Sequence, residues 1–228
     1  MEHISQHLAV WAADVSPNDD GLAVLGLRTD IVGSLRAYGL ETPSALQKTA
    51  SRLISNHRDL YVEAPSGQDR SETLVINLLR HIDTTSPTTQ AIVLVFTDQL
   101  ARELDTLVRA MGRQLAIKCH CCGSEDDPAS DEKALVSGTA IVIGTAERLA
   151  HLCADGYLNK DGLKLLVLDD ADDVLDTSME HFLDIFHSVR GPHFQICLYY
   201  WDLSFQFQDW TFRRLVNSPV QIYGNLPV

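Results

Sequence analysis

Leu60-Tyr61-Val62-Glu63-Ala64-Pro65-Ser66-Gly67-Gln68-Asp69-Arg70-Ser71 runs from a short apolar segment through a loop with one proline and one glycine into a helical pattern. Strand, tight loop and helix in that order form the repeating unit of an α/β fold. Working outward, β-type apolar runs recur at Ala91–Phe96, Ala116–Cys119, Ala140–Ile143, Leu165–Leu168 and Gln195–Tyr199, with a helical pattern or room for one between them. Several are near-continuous rather than alternating, as strands covered on both faces require. The reading is an α/β domain with a central, mostly parallel β-sheet and helices on both faces.

The clearest helix starts at Thr97, with Leu100, Leu104, Leu107, Val108 and Met111 in step and Gly112 behind it. Thr29 is placed to cap a helix carrying Ile31, Val32 and Leu35 and ended by Gly39, while Thr42 and Pro43 are placed to start another carrying Leu46, Ala50, Leu53 and Ile54. The turn-forming cluster Ser16-Pro17-Asn18-Asp19-Asp20-Gly21 makes residues 1–21 a flexible lead-in and 22–228 the domain.

A chain of 228 residues can bury a core without staples, and its five cysteines show no disulfide-like arrangement. An intracellular compartment, cytoplasmic or nuclear, follows as the expectation. No apolar run is long enough to span a bilayer, and the N-terminus has no basic region followed by an apolar one. A net charge of −13 repels phosphate backbones unless basic residues are concentrated, and Arg52, Arg58, Arg80, Arg109, Arg113, Arg213 and Arg214 are scattered rather than in an evident stripe.

The loop Ala64–Ser71 stands where a phosphate loop belongs. Such a loop needs a second glycine, a lysine and a Ser/Thr hydroxyl, and here those positions hold Asp69, Arg70 and Ser71. A later strand ends in Leu166-Val167-Leu168-Asp169-Asp170-Ala171-Asp172, the layout of a magnesium-holding carboxylate, and Tyr38-Gly39-Leu40-Glu41-Thr42-Pro43-Ser44-Ala45-Leu46-Gln47 lies upstream. In that order the set resembles the first RecA-like domain of the DEAD-box RNA helicases, closest to the eukaryotic initiation factor 4A branch. The resemblance covers about Leu22 to the C-terminus.

The resemblance implies a single RecA-like domain in which Gln47 reads adenine, Ser66, Gly67, Arg70 and Ser71 cradle phosphates, Asp169 holds magnesium and Asp170 handles the attacking water. Thr97, Thr145 and Arg148 fall on its RNA contacts. Departures accompany each part: Leu22 replaces the aromatic that stacks on adenine, Asp170 replaces a glutamate, Asp98 an arginine and Glu147 a glycine. The family's Ser-Ala-Thr link between nucleotide and RNA falls at Tyr200-Trp201-Asp202, so that link is expected to be lost. Ser218-Pro219-Val220-Gln221-Ile222 resembles the strand that ends the family's first domain, and a second RecA-like domain is not expected in this chain.

Three further segments stand out. Cys119-His120-Cys121-Cys122 lacks the second pair of a zinc site at suitable spacing, although His151 and Cys153 could complete one; buried strand residues without metal are the expectation. The acid run Ser124-Glu125-Asp126-Asp127-Pro128 with Asp131 and Glu132 reads as a solvated loop and helix start. Tyr199, Tyr200, Trp201, Phe205, Phe207, Trp210 and Phe212 place seven aromatics in fourteen positions, with Tyr200, Trp201, Phe205 and Trp210 as a candidate protein-binding patch.

The departures lead to an expectation of a catalytically inactive, helicase-like protein without a cofactor, binding RNA weakly or not at all. It would act through a protein partner such as a helical-repeat scaffold or another subunit of an RNA-protein complex. The alternative is a nucleotide-binding N-terminal domain of an ATP-dependent DEAD-box RNA helicase, with weak Mg-ATP binding through Gln47, Arg70, Ser71 and Asp169.

Overall fold

The computed structural model describes residues 8–11, 21–54, 58–123, 127–189, 194–202 and 220–224. Its strands are β1 Leu8–Trp11, β2 Leu60–Glu63, β3 Ala91–Val95, β4 Cys119–Cys122, β5 Ile141–Thr145, β6 Leu165–Asp169, β7 Gln195–Tyr200 and β8 Val220–Tyr223. They form one sheet in the order β1-β8-β2-β7-β6-β3-β5-β4, with every described pairing parallel. The sequence expectation of a mostly parallel sheet holds.

The helices are α1 Thr29–Tyr38, α2 Ala45–Ile54, α3 Gln68–His81, α4 Asp98–Met111, α5 Pro128–Val136, α6 Ala146–Ala154 and α7 Ala171–Val189. In β3, Ala91, Val93 and Val95 belong to the core layer shared with α1 to α4, whereas Ile92 and Leu94 belong to the layer shared with α5 to α7. Successive strand residues point to opposite faces, so both faces must be apolar when both are covered. That is why these strands read as continuous apolar runs. Among the described residues no helix is long and apolar enough to cross a membrane.

Local chemistry moved several boundaries. Within the segment read as a lead-in, Leu8–Trp11 pairs with β8, Leu8 opposite Val220. The strand expected at Ala116–Cys119 begins instead at Cys119, because Ala116 adopts a left-handed φ of 50° that breaks extended backbone. Ser44, not Thr42, caps α2: its hydroxyl accepts from the Gln47 N–H at 3.1 Å, and the Gln47 side-chain oxygen accepts from the Ser44 N–H at 3.0 Å. This is a capping box. Thr29 is the first residue of α1, with Arg28 before it as cap and no capping hydrogen bond from a side chain.

Candidate functional site

The site lies at the carboxyl ends of β2, β7 and β6, where loops leave the sheet for α3 and α7. Gly67 precedes α3 at φ 152° and ψ 178°, backbone that residues with a Cβ avoid, and so turns the loop into the helix. Arg70 then points beneath the loop rather than out of it, its side chain 2% exposed. Its Nη1 donates to the Ala64 carbonyl at 3.2 Å, and its Nη2 meets Asp169 Oδ1 at 3.1 Å and also Asp170 Oδ1. The Ser66 hydroxyl donates to the same Asp170 oxygen at 2.9 Å. Asp170 reaches back this way because its φ of 50° reverses the chain between β6 and α7, a conformation Asp tolerates better than most residues.

One guanidinium thus joins two strand-end carboxylates to the loop. Burial pushes the Asp169 carboxyl up to about 6; Arg70 opposes the shift and the neighbouring Asp170 charge adds to it. The family resemblance places magnesium at Asp169. Magnesium needs open carboxylate oxygens and keeps several waters, whereas Asp169 is buried with the facing oxygen held by Arg70. In this arrangement the residues do not fit the ion.

Beyond the loop, Leu40, Thr42, Ser44, Gln68 and Asp69 line a 390 Å³ cleft backed by Gln47 and Glu72. Gln47 is 2% exposed. Its Oε1 is held in the capping box, and its Nε2 donates to Glu72 Oε2 at 3.1 Å. Glu72 Oε1 accepts from the Tyr38 hydroxyl at 3.1 Å and from Gln68 Nε2 at 2.8 Å. Burial and this carboxylate raise the Tyr38 pKa, keeping its hydroxyl a donor. Leu22 is buried at 1% exposure in a 3₁₀ turn, Leu22–Leu25, and offers no stacking face. Tyr38 stood in the upstream motif without a role and Glu72 was missed, because an acid between Ser71 and Thr73, ahead of the apolar run that begins at Leu74, gives no signal of burial.

The RNA-motif residues sit at the carboxyl ends of β3 and β5. Thr97 accepts from the Leu100 N–H at 3.2 Å to cap α4, and Thr145 accepts from the Arg148 N–H at 3.4 Å to cap α6. Arg148 grips Asp131 Oδ2 through Nε at 3.0 Å and Nη2 at 2.7 Å, while His120 Nε2 meets Oδ1 at 2.7 Å. Asp131 is therefore buried and ion-paired, correcting its reading as a solvated acid. Asp127 caps α5, and residues 124–126 lie outside the described residues. His120, Cys122 and Asp131 have ligand atoms within 4.8 Å of one another, a grouping that includes neither His151 nor Cys153. The ion pair with Arg148 accounts for Asp131.

Trp201 is 56% exposed, but Tyr200 is 1% exposed, with its hydroxyl accepting from Gln221 Nε2 at 3.0 Å. Tyr200 is thus removed from the expected protein-binding patch, because β7 is covered on both faces; Phe205 and Trp210 lie outside the described residues. At Tyr200-Trp201-Asp202, where the family's link is expected to be lost, the backbone meets the first turn of α7. Asp172 Oδ2 accepts from the Trp201 N–H at 3.3 Å and the Asp202 N–H at 3.2 Å, and backbone donors do not depend on side-chain identity.

A tight loop from β2 to α3 facing strand-end carboxylates in a parallel sheet is the arrangement of a RecA-like α/β domain. The profile of the DEAD/DEAH box helicases matches residues 44–199, and the chain belongs to that family. It is 34% identical over 168 residues to the ATP-dependent RNA helicase eIF4A of Pyricularia oryzae, covering 73% of this chain and 42% of the relative. Over 174 residues it is 34% identical to the ATP-dependent RNA helicase FAL1 of Yarrowia lipolytica, covering 76% and 43%. The chain spans less than half the length of these two relatives.

The fold is shared with a DEAD box protein of Methanococcus jannaschii, at a TM-score of 0.83 and 19% identity over 91% of this chain and 56% of that one. Dbp5 of S. cerevisiae bound to RNA and ADP BeF3 gives a TM-score of 0.80 at 18% identity, over 92% and 52%. The expectation of a non-enzyme is overturned by these relatives. Those matched in sequence are named ATP-dependent RNA helicases, so an enzyme is the supported reading.

Proposed function

We propose that the chain is the nucleotide-binding N-terminal domain of a DEAD-box RNA helicase. The observation that carries this reading is the convergence of Ser66 and Arg70 from the β2 loop with Asp169 and Asp170 from the end of β6. The amino end of α3 presents unpaired N–H groups and the positive end of its dipole, the ordinary means of holding phosphate. Arg70 is the cation beside that helix end, held by Asp169 and Asp170. Exchanging its carboxylate partners for a phosphate would place two parallel N–H bonds on the anion. Asp170, released by the same movement, faces the loop as the carboxylate able to orient a water. Asp172 carries the site onward to residues 201 and 202, a physical line from nucleotide toward polymer.

Calorimetric titration with nucleoside di- and triphosphates, together with phosphate release in the presence of single-stranded RNA, tests the reading. Saturable binding at or below millimolar concentration is expected. Its absence for every nucleotide overturns the proposal.

A protein partner is a second reading, favoured by exposed Trp201 beside Asp170, Asp172 and Asp173. An exposed aromatic flanked by acids suits a partner's apolar and basic side chains, as on the surface of a helical-repeat scaffold. Trp201→Ala should abolish such a complex, and a complex that survives the substitution overturns this reading.

A further inference from the structure

Nitrogen, sulfur and oxygen ligands meet at the edge of the sheet remote from the β2–α3 loop. β4 is an outer strand, paired among the described residues with β5 alone. Residues two apart on a strand share a face, so His120 and Cys122 point the same way, while Cys119 and Cys121 pack in the opposite core layer. Asp131, in the first turn of α5, is buried against them. A ring nitrogen of His120, the sulfur of Cys122 and a carboxylate oxygen of Asp131 lie within 4.8 Å of one another.

The pair with Arg148 accounts for the burial of Asp131, but both of its bonds to that carboxylate go to Oδ2. Oδ1 is left to His120, whose Nε2 lies 2.7 Å away. By fixing one oxygen, Arg148 sets the direction in which the other presents its lone pairs, the part that outer hydrogen bonds play around a bound metal. The buried Cys122 thiol is turned toward the same carboxylate. Two protic side chains thus converge on one carboxylate, and a cation can take the place of their protons.

A nitrogen, a thiolate and a carboxylate together suit zinc, whereas magnesium and calcium take oxygen ligands. Ligand distances of about 2.0–2.3 Å require the His120 nitrogen and the Asp131 oxygen to part by about half an ångström and the sulfur to draw in. His120 has room to give, because its side chain is 22% exposed, and it opens the site to solvent. We propose that His120, Cys122 and Asp131 bind a zinc ion, with water as the fourth ligand, and that the ion fastens the outer strand β4 to α5. This site is separate from the nucleotide-binding reading and stands without it.

Titration of the chelator-treated chain with cobalt(II), followed by absorption, tests it. Cobalt takes zinc's tetrahedral place and reports its ligands. The expected spectrum has the strong visible bands of a tetrahedral ion and a thiolate-to-cobalt charge-transfer band in the near ultraviolet, both reversed by zinc. Cys122→Ser should abolish the charge-transfer band and weaken binding about tenfold or more, whereas Cys121→Ser, on the opposite face of β4, should leave both unchanged. No spectral change at submillimolar cobalt overturns the proposal, as does a spectrum without the thiolate band or a band that survives Cys122→Ser. If circular dichroism shows that Cys122→Ser does not fold, His120→Gln at the partly exposed ligand takes its place, and undiminished cobalt affinity in that variant overturns the site.

Discussion

Arg70 and Asp169 are both buried, and a buried ion pair is costly to break from one side because the remaining charge has no water. Replacing Arg70 with methionine leaves Asp169 and Asp170 facing each other without a cation. The variant should lose about 3–5 kcal/mol of unfolding free energy, read from urea denaturation. Asp169 carries a second, pH-dependent consequence. Its folded pKa of about 6 lies above the ordinary 3.8, so between those values the folded state holds a proton that the unfolded chain has released. This residue's contribution is fully present below pH 3.8 and lost as pH rises through about 6, a decline of up to about 3 kcal/mol. Denaturation midpoints compared with Asp169→Asn across pH 4–7 should show a steeper decline in the unaltered chain, the remainder coming from Glu63 and Asp173, whose carboxyls burial also raises. Motif order made the identity of these residues legible in the sequence. It left unread that Arg70 turns inward, because partner choice depends on the reversed backbone at Asp170, which no residue type announces.

At the scale of elements, the strands were legible wherever burial on both faces made them continuous apolar runs, as in β3 and β6. The start of β4 was not, since apolar Ala116 and Ile117 satisfy a strand pattern whatever φ Ala116 adopts. The cap of α2 was legible and overlooked: Ser44-Ala45-Leu46-Gln47 spells a capping box, and Ser44→Ala should cost about 1 kcal/mol of stability, measured by thermal unfolding. The connection between β6 and β7 was hidden for another reason. It runs from the Asp172 carboxylate to the backbone N–H groups of Trp201 and Asp202, which are present whatever side chains stand there. A hydrogen bond to a charged group is worth about 1.5–3 kcal/mol, equivalent to roughly ten- to hundredfold in local opening. Asp172→Ala should therefore speed amide exchange at Trp201 and Asp202 by that factor and leave β6 amides unchanged. Equal rates in both proteins would show that residues 201 and 202 are held by something else.

Across the whole molecule the acid excess sets the terms on which any RNA would be met. A charge of −13 gives a long-range repulsion toward phosphate that only a local concentration of donors overcomes. The carboxyl ends of β3 and β5, where the family resemblance places RNA, carry Asp98 in the first turn of α4 and exposed Glu147 in the first turn of α6. Acids there favour their helices, because they lie at the positive ends of the dipoles, yet they oppose a phosphate approaching the same ends. The fold and the polymer therefore make contrary demands on the same two positions. Asp98→Arg combined with Glu147→Gly should tighten single-stranded RNA binding at low salt, because repulsion at two phosphates gives way to one attraction and one close backbone approach. The new arginine–phosphate contact releases one counterion, steepening the slope of log K against log salt by about 0.7. Helix stability should fall by about 0.3–1 kcal/mol for each acid removed. A double variant whose RNA affinity and salt slope match those of the unaltered chain would place the polymer elsewhere on the surface, away from the ends of β3 and β5.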